Sequence, residues 1–204
     1  MIETLENENV YYGKDSLKNL TKIMKLESAS NILLISGKKS FKTSGLESKL
    51  QALLKEKTLT LVNNFEINPK YEEIIQIGDE IKYKKIDLII AAGGGSVIDF
   101  AKCLNIYLSS WTSDGSDGII NRELLPIKLF PLVAIPTTAG SGAEVTPTAV
   151  IYINGLKYSI EHDKIKPDYF FLLPELIIDS KKSIKAASGF DAISQGIESL
   201  ISLK

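Results

Sequence analysis

The sequence predicts an α/β fold: a Rossmann-like parallel sheet flanked by helices, followed by the start of an all-helical segment. Three observations carry this. Short apolar runs too brief for helices alternate with longer stretches of helical spacing, which is the signature of right-handed βαβ units. Two of those runs end abruptly in glycine-bearing polar loops. After Asp179 the pattern turns helical with no further strand.

In order along the chain, Asn9-Val-Tyr-Tyr12 is an extra edge-strand candidate. The run from Asp15 to Met24 has apolar side chains at helical spacing, with Asp15 or Ser16 available as N-cap. Asn31 to Gly37 is a strand of the kind a parallel sheet buries on both faces, and the first strand of the nucleotide fold lies here. A helix from Ser44 to Leu54 and a strand from Leu59 to Phe65 follow. Asn68-Pro69 opens a helix from Tyr71 to about Tyr83. Asp87 to Ala92 is a buried strand running straight into Gly93-Gly94-Gly95. Beyond a polar loop at about Thr112 to Arg122, Leu132 to Ile135 is a strand ending at Pro136. Ser183 to Lys204 reads as helix, so the domain organisation expected is residues 1–179 as an α/β unit and 180–204 as the first helix of a second unit.

Composition narrows the partners. The 204 residues are 44% hydrophobic and 24% charged, enough for one core and a little over. A net charge of -1 offers no field of one sign to nucleic acid or a membrane surface, so the expected partner is a small molecule. No apolar run approaches the length of a membrane span, and the start of the chain lacks a basic stretch followed by an apolar one. The lone Cys103, in a helical pattern, reads as a small buried apolar residue, and a cytoplasmic protein is expected.

The chemistry gathers in two loops. In Gly93-Gly-Gly-Ser-Val-Ile-Asp99 a glycine run joins strand to helix. Such a turn lets backbone approach a ligand, and the free amides and dipole of the new helix attract phosphate, most naturally a pyrophosphate. Ser96 can add a hydroxyl donor; Asp99 suits the dipole or accepts from ribose hydroxyls. The spacing is not G-x-G-x-x-G, and a tight turn without ligand is the competing reading. In Pro136-Thr-Thr-Ala-Gly-Ser-Gly-Ala-Glu144, Thr137, Thr138 and Ser141 offer hydroxyls, Gly140 and Gly142 permit close approach, and Glu144 reads as a capping or packing group. Ligands of open α/β sheets sit at the carboxyl ends of the strands, so neighbouring strands would aim both loops at one crevice.

These two motifs, with Gly189-Phe-Asp-Ala-Ile-Ser-Gln-Gly-Ile-Glu198 after them, strongly resemble the iron-containing (group III) alcohol dehydrogenases. The resemblance runs from about Tyr12 to the last residue. It implies a dehydroquinate synthase-like architecture, an N-terminal α/β domain for NAD(P) and a helical domain supplying most of a divalent metal site. It also implies hydride transfer between the nicotinamide and a small aldehyde or primary alcohol, with iron or zinc polarising the substrate oxygen. Position by position, Gly94, Gly95, Ser96 and Asp99 fall on the pyrophosphate and ribose loop, Thr137, Thr138 and Ser141 near the nicotinamide half, and Lys157 on a cofactor-contacting lysine. Asp191 falls on a metal ligand. Four residues on, where most relatives carry histidine, this chain has Gln195.

An amide oxygen is a poorer donor than imidazole for these ions. Either the metal is held more weakly, its preference is altered, or Gln195 binds substrate instead. The remaining family ligands are histidines in the helical domain; the single histidine here, His162, lies upstream of the motif and reads as a loop residue. The chain is therefore expected to be cut short of a complete site, and no residue is singled out as catalytic. Asp191 to Ser199, with Val145 to Tyr152 and Lys157 to His162, resembles the phosphonoacetaldehyde reductase branch. Gly37, followed by Lys38 and Lys39, stands where many relatives carry aspartate, which admits NADP as well as NAD. A homodimer is the oligomer admitted; a freestanding nucleotide-binding module or an inactive fragment is the alternative function.

Overall fold

The computed structural model describes residues 9–111 and 129–202. In chain order it contains β1 (Val10–Tyr12), a 3-10 turn (Ser16–Asn19) leading into α1 (Leu20–Leu26), β2 (Asn31–Ser36), α2 (Ser40–Thr43), α3 (Leu46–Leu53) and β3 (Thr58–Val62). Then come α4 (Tyr71–Ile81), β4 (Leu88–Gly93), α5 (Gly95–Trp111), β5 (Leu132–Pro136), β6 (Thr148–Ile153), β7 (Leu156–Glu161), β8 (Tyr169–Leu172) and α6 (Lys182–Ile201). The polar loop expected at Thr112 to Arg122 lies outside the described residues.

Six strands form one parallel sheet in the order β1-β8-β5-β4-β2-β3. β3 is laid on one side of β2 and β4 on the other, so the winding reverses between β2 and β4. That reversal opens a crevice at the carboxyl ends of these strands. Alternation of side chains across each strand divides the apolar material into two cores. Leu33, Ile35, Ile89, Ala91, Leu132 and Ala134 meet Ile74 of α4 and Ile98, Ala101 and Leu104 of α5. Ile32, Leu34, Ile90, Val133 and Ile135 meet Leu20, Ile23 and Met24 of α1 and Leu46 and Leu50 of α3 on the opposite face.

Two carboxylates secure the other end of the sheet. Asp87 accepts from the amides of Ser30 and Asn31 at 2.9 and 2.8 Å and from the Asn31 side chain at 2.7 Å. Asp168 accepts from the Leu132 amide at 2.8 Å. These bonds fix where β2 and β5 begin, and hence where they end.

The expected strands and helices are found, including the edge strand, which pairs with β8. The N-cap expectation is corrected: Asp15 makes no side-chain capping bond, and Ser16 Oγ donates to the Gly13 carbonyl at 2.7 Å. The opening turn is 3-10, and the hydroxyl bonds back to the turn that precedes it. Three features were not anticipated: the short helix α2, strand β8 and the antiparallel hairpin β6–β7. The hairpin turns at Asn154 and Gly155, both with positive φ (51° and 77°), a conformation Asn-Gly supplies at low cost.

Candidate functional site

Strand register brings the expected loops together. Ser36 is opposite Ala92, and the Gly37 amide donates to the Ala92 carbonyl at 3.3 Å. Gly93 is opposite Pro136, and the Thr137 amide donates to the Gly93 carbonyl at 2.9 Å. The loops after β2, β4 and β5 therefore leave the sheet side by side. The loops after β4 and β5 also touch. A Cβ on Gly94 would stand 3.0 Å from Thr138 Oγ1, and one on Gly95 would stand 2.7 Å from Ser141 Oγ. The glycine run is needed for loop against loop, quite apart from any ligand.

The crevice holds buried polar groups without protein partners. Ser36 Oγ, at the end of β2, and Thr137 Oγ1, just past β5, are enclosed and make no hydrogen bond. A buried hydroxyl left unpaired costs about 1–3 kcal/mol, and both stand at the strand ends where a ligand belongs. Ser96 lies in the first turn of α5, whose leading amides have no carbonyl within the helix to meet. Together these features fit a dinucleotide: open amides for phosphate, hydroxyls for its polar groups and glycines that keep the wall thin.

Asp99 and Lys157 meet through the hairpin. Asp99 Oδ2 accepts the Val150 amide of β6 at 3.2 Å. Burial raises its carboxyl to about 6, against the opposing pull of Lys102, that amide bond and Lys157. Lys157 itself is exposed on β7, opposite Tyr152. Lys102, which sequence reasoning passed over, is fully buried and donates to the carbonyls of Thr146 and Thr148 at 2.8 and 2.7 Å. Burial lowers its ammonium to about 8, with Asp99 the strongest influence in the other direction. A lysine three residues after Asp99 in an otherwise apolar stretch of helix was the available signal. Cys103 is fully buried, as expected, and burial pushes its thiol up. His162 stays local, its Nδ1 accepting the Lys164 amide at 3.1 Å.

The helix carrying Asp191 and Gln195 is two-faced. Every residue of α6 is exposed except Ser188, which is half-buried. At about 100° per residue, Asp191 and Gln195 lie within about 60° of Ser188, while Phe190, Ile193, Ile197, Leu200 and Ile201 cluster on the opposite side. Those five apolar side chains are 54–84% exposed. The Ser188 face is the one that meets the loop after β5, at Gly140. Asp191 and Gln195 thus lie on the same side of α6 as Ser188, whose backbone meets that loop. Two oxygen donors do not make a metal site, and among the described residues no three His, Cys, Asp or Glu side chains converge. The residues described here do not by themselves fit a catalytic metal ion.

Among the known proteins this chain resembles are alcohol dehydrogenases. The sequence is 31% identical over 200 residues to an NADPH-dependent butanol dehydrogenase of Clostridium saccharobutylicum, a match covering 95% of this chain and 50% of that protein. It is 28% identical over 196 residues to an alcohol dehydrogenase of Thermococcus barophilus, covering 93% of this chain and 51% of that protein. The fold superposes on the crystal structure of an iron-containing alcohol dehydrogenase from Thermotoga maritima with TM-score 0.84 and 29% identity, over 93% of this chain and 52% of that one. The chain thus spans about half the length of the curated relatives it matches. Among the described residues no helix is long and apolar enough to cross a membrane. The sequence profile of one family, described as iron-containing alcohol dehydrogenase, matches residues 7–174, most of the chain and all six strands of its parallel sheet. By that match, the chain belongs to the iron-containing alcohol dehydrogenase family.

Proposed function

We propose that residues 1–179 form the nucleotide-binding domain of an NAD(P)-dependent oxidoreductase that interconverts small aldehydes and primary alcohols, with residues 180–204 beginning a helical unit. The observation that carries this is the crevice at the β2–β4 reversal, with its paired glycine loops and two unpartnered hydroxyls. The bound nicotinamide cofactor would supply or accept the hydride. Everything else asked of these residues is binding and orientation. Gly94, Gly95 and Ser96 present backbone amides at the start of α5 to the pyrophosphate. Thr137, Thr138 and Ser141 offer hydroxyls beside it, toward the nicotinamide half. Lys157 adds positive charge from the hairpin, and Asp99 acts by tying that hairpin to α5 through Val150. Gly37 leaves room at the second ribose, with Lys38 and Lys39 favouring NADPH, the cofactor named for the butanol dehydrogenase relative.

In this reading Asp191 and Gln195 contribute to a divalent iron or zinc site completed by donors beyond those described here. The protein acts in the cytoplasm on a small molecule, alone or as a homodimer. The narrower substrate, phosphonoacetaldehyde, rests on the sequence resemblance around Asp191 to Ser199. The test is NADPH oxidation with phosphonoacetaldehyde, butanal and other simple aldehydes, using this chain and a form extended by a helical segment carrying two histidines. The reading expects both forms to bind NADPH and only the extended form to turn over in a metal-dependent way. Absence of nucleotide binding in both forms contradicts it.

A further inference from the structure

Gly140 lies in the motif assigned to the cofactor, yet its closest neighbour is not the crevice. Its φ is 149°, a region nearly closed to side-chain-bearing residues. A Cβ placed there would overlap the carbonyl oxygen of Ser188 and stand 2.9 and 3.1 Å from that residue's carbonyl carbon and Cα. Carbon atoms ordinarily pack at about 3.5–4.0 Å, so backbone would have to move by roughly an ångström. Ser188 is in turn the residue at which α6 is least exposed. Glycine is therefore required at position 140 by helix against loop. Gly142, two residues on and also at positive φ (64°), has its nearest prospective neighbour at 4.0 Å, the Thr146 methyl. The same loop thus contains one glycine under a helix and one in open space.

We propose that Gly140 is a positioning residue: it seats the backbone of α6 on the loop after β5 and so holds the side of that helix bearing Asp191 and Gln195 toward that loop. The functional consequence rests on the nucleotide reading above. Thr137, Thr138 and Ser141 flank Gly140 in sequence, so a ligand that orders this loop also steadies the seat, and cofactor occupancy is transmitted to the helix bearing the two oxygen donors. No contact with the cofactor is assigned to Gly140.

The test is amide hydrogen exchange across α6 in the 204-residue protein, with NADPH affinity measured in parallel. Gly140→Ala should speed exchange around Lys185 to Gln195 by about tenfold or more, because the helix loses its closest support. Its NADPH affinity, read beside that of Gly142→Ala, separates loss of the seat from a general loop defect. Gly142→Ala perturbs the same loop at a left-handed φ of 64°, which side-chain-bearing residues tolerate better, and should leave α6 exchange unchanged. In the unsubstituted protein, saturating NADPH should slow exchange in the same segment, a readout that does not depend on either variant folding. Unchanged α6 exchange in Gly140→Ala would overturn the proposal, as would loss of protection in both variants together with weaker binding, which would mark a general loop defect. No slowing of α6 by bound NADPH would overturn the transmission. If the unsubstituted protein binds no NADPH, the nucleotide reading fails while the two variants still decide the seat.

Discussion

Replacing Lys102 by methionine tests how the crevice is held in shape. The lysine makes two charge-assisted bonds, to the carbonyls of Thr146 and Thr148, each worth about 1.5–3 kcal/mol. It also faces the buried Asp99, while Glu144 adds attraction from the loop after β5. Against this stands desolvation. The ammonium falls from 10.5 to about 8 even with Asp99 and Glu144 pulling the other way, a net cost of roughly 3 kcal/mol at 1.36 kcal/mol per pH unit. Methionine fills the volume and removes that cost, but it orphans two carbonyls and leaves Asp99 without its nearest cation. We expect a net loss of roughly 2–4 kcal/mol by urea denaturation followed by circular dichroism. Adding Asp99→Asn should restore at least about 1 kcal/mol, since the uncompensated carboxylate is then gone. The pair also has a pH signature. Asp99 is raised, from 3.8 to about 6, so its contribution is intact below pH 4 and lost as pH rises to 6. Lys102 is lowered, so its contribution is lost as pH falls through 8 and regained toward 10.5. The difference between parent and Lys102→Met should therefore change along the alkaline limb, and that between parent and Asp99→Asn along the acid limb. A Lys102→Met protein within about 0.5 kcal/mol of the parent, or a double variant no more stable than the single, would refute the reasoning.

Gly95→Val should force the two crevice loops apart, because its Cβ would stand 2.7 Å from Ser141 Oγ, and NADPH binding should weaken more than about tenfold, or 1.4 kcal/mol. An unchanged fluorescence titration would place the cofactor elsewhere. Gly37→Asp should set a carboxylate against a 2'-phosphate and shift preference toward NADH; equal effects on both cofactors would remove Gly37 from the second ribose. Asp87→Ala should destabilise by about 0.5–1.5 kcal/mol through loss of its bonds to the amides of Ser30 and Asn31, most visibly at neutral pH, since those bonds hold the carboxyl low against its partial burial and are lost on acidification. An Asp87→Ala protein as stable as the parent at pH 7 would count against that anchoring.

Much of this was legible in the residues, for identifiable reasons. β2, β4 and β5 announce themselves because strands buried on both faces must be apolar throughout, and the glycine loops because they interrupt those runs at the strand ends. β8 escaped because Tyr169-Phe-Phe-Leu is four residues long and follows a stretch with no clear period. The β6–β7 hairpin had its signals, Asn154-Gly155 and the alternation of apolar and polar residues from Leu156 to Glu161, but β7 is largely exposed and its alternation was passed over. Within the site, pairing of Gly94 with Thr138 and Gly95 with Ser141 depends on β4 lying beside β5, which strand order decides and local sequence does not. For the same reason Lys102 could not be seen as a partner of Thr146 and Thr148, 44 and 46 residues away. Gly140 illustrates the converse: its motif pointed to a ligand, while its nearest neighbour is a helix.

The most direct test of the central claim, that the β2–β4 crevice is a nicotinamide nucleotide site, is titration of the 204-residue protein with NADPH and NADH by cofactor fluorescence, alongside Gly95→Val. The account predicts saturable one-to-one binding at micromolar concentration, on the order of −8 kcal/mol, weakened about tenfold or more by the valine. A folded protein that shows no saturable signal with either nucleotide up to about millimolar concentration, or that binds equally well with valine at position 95, would contradict it.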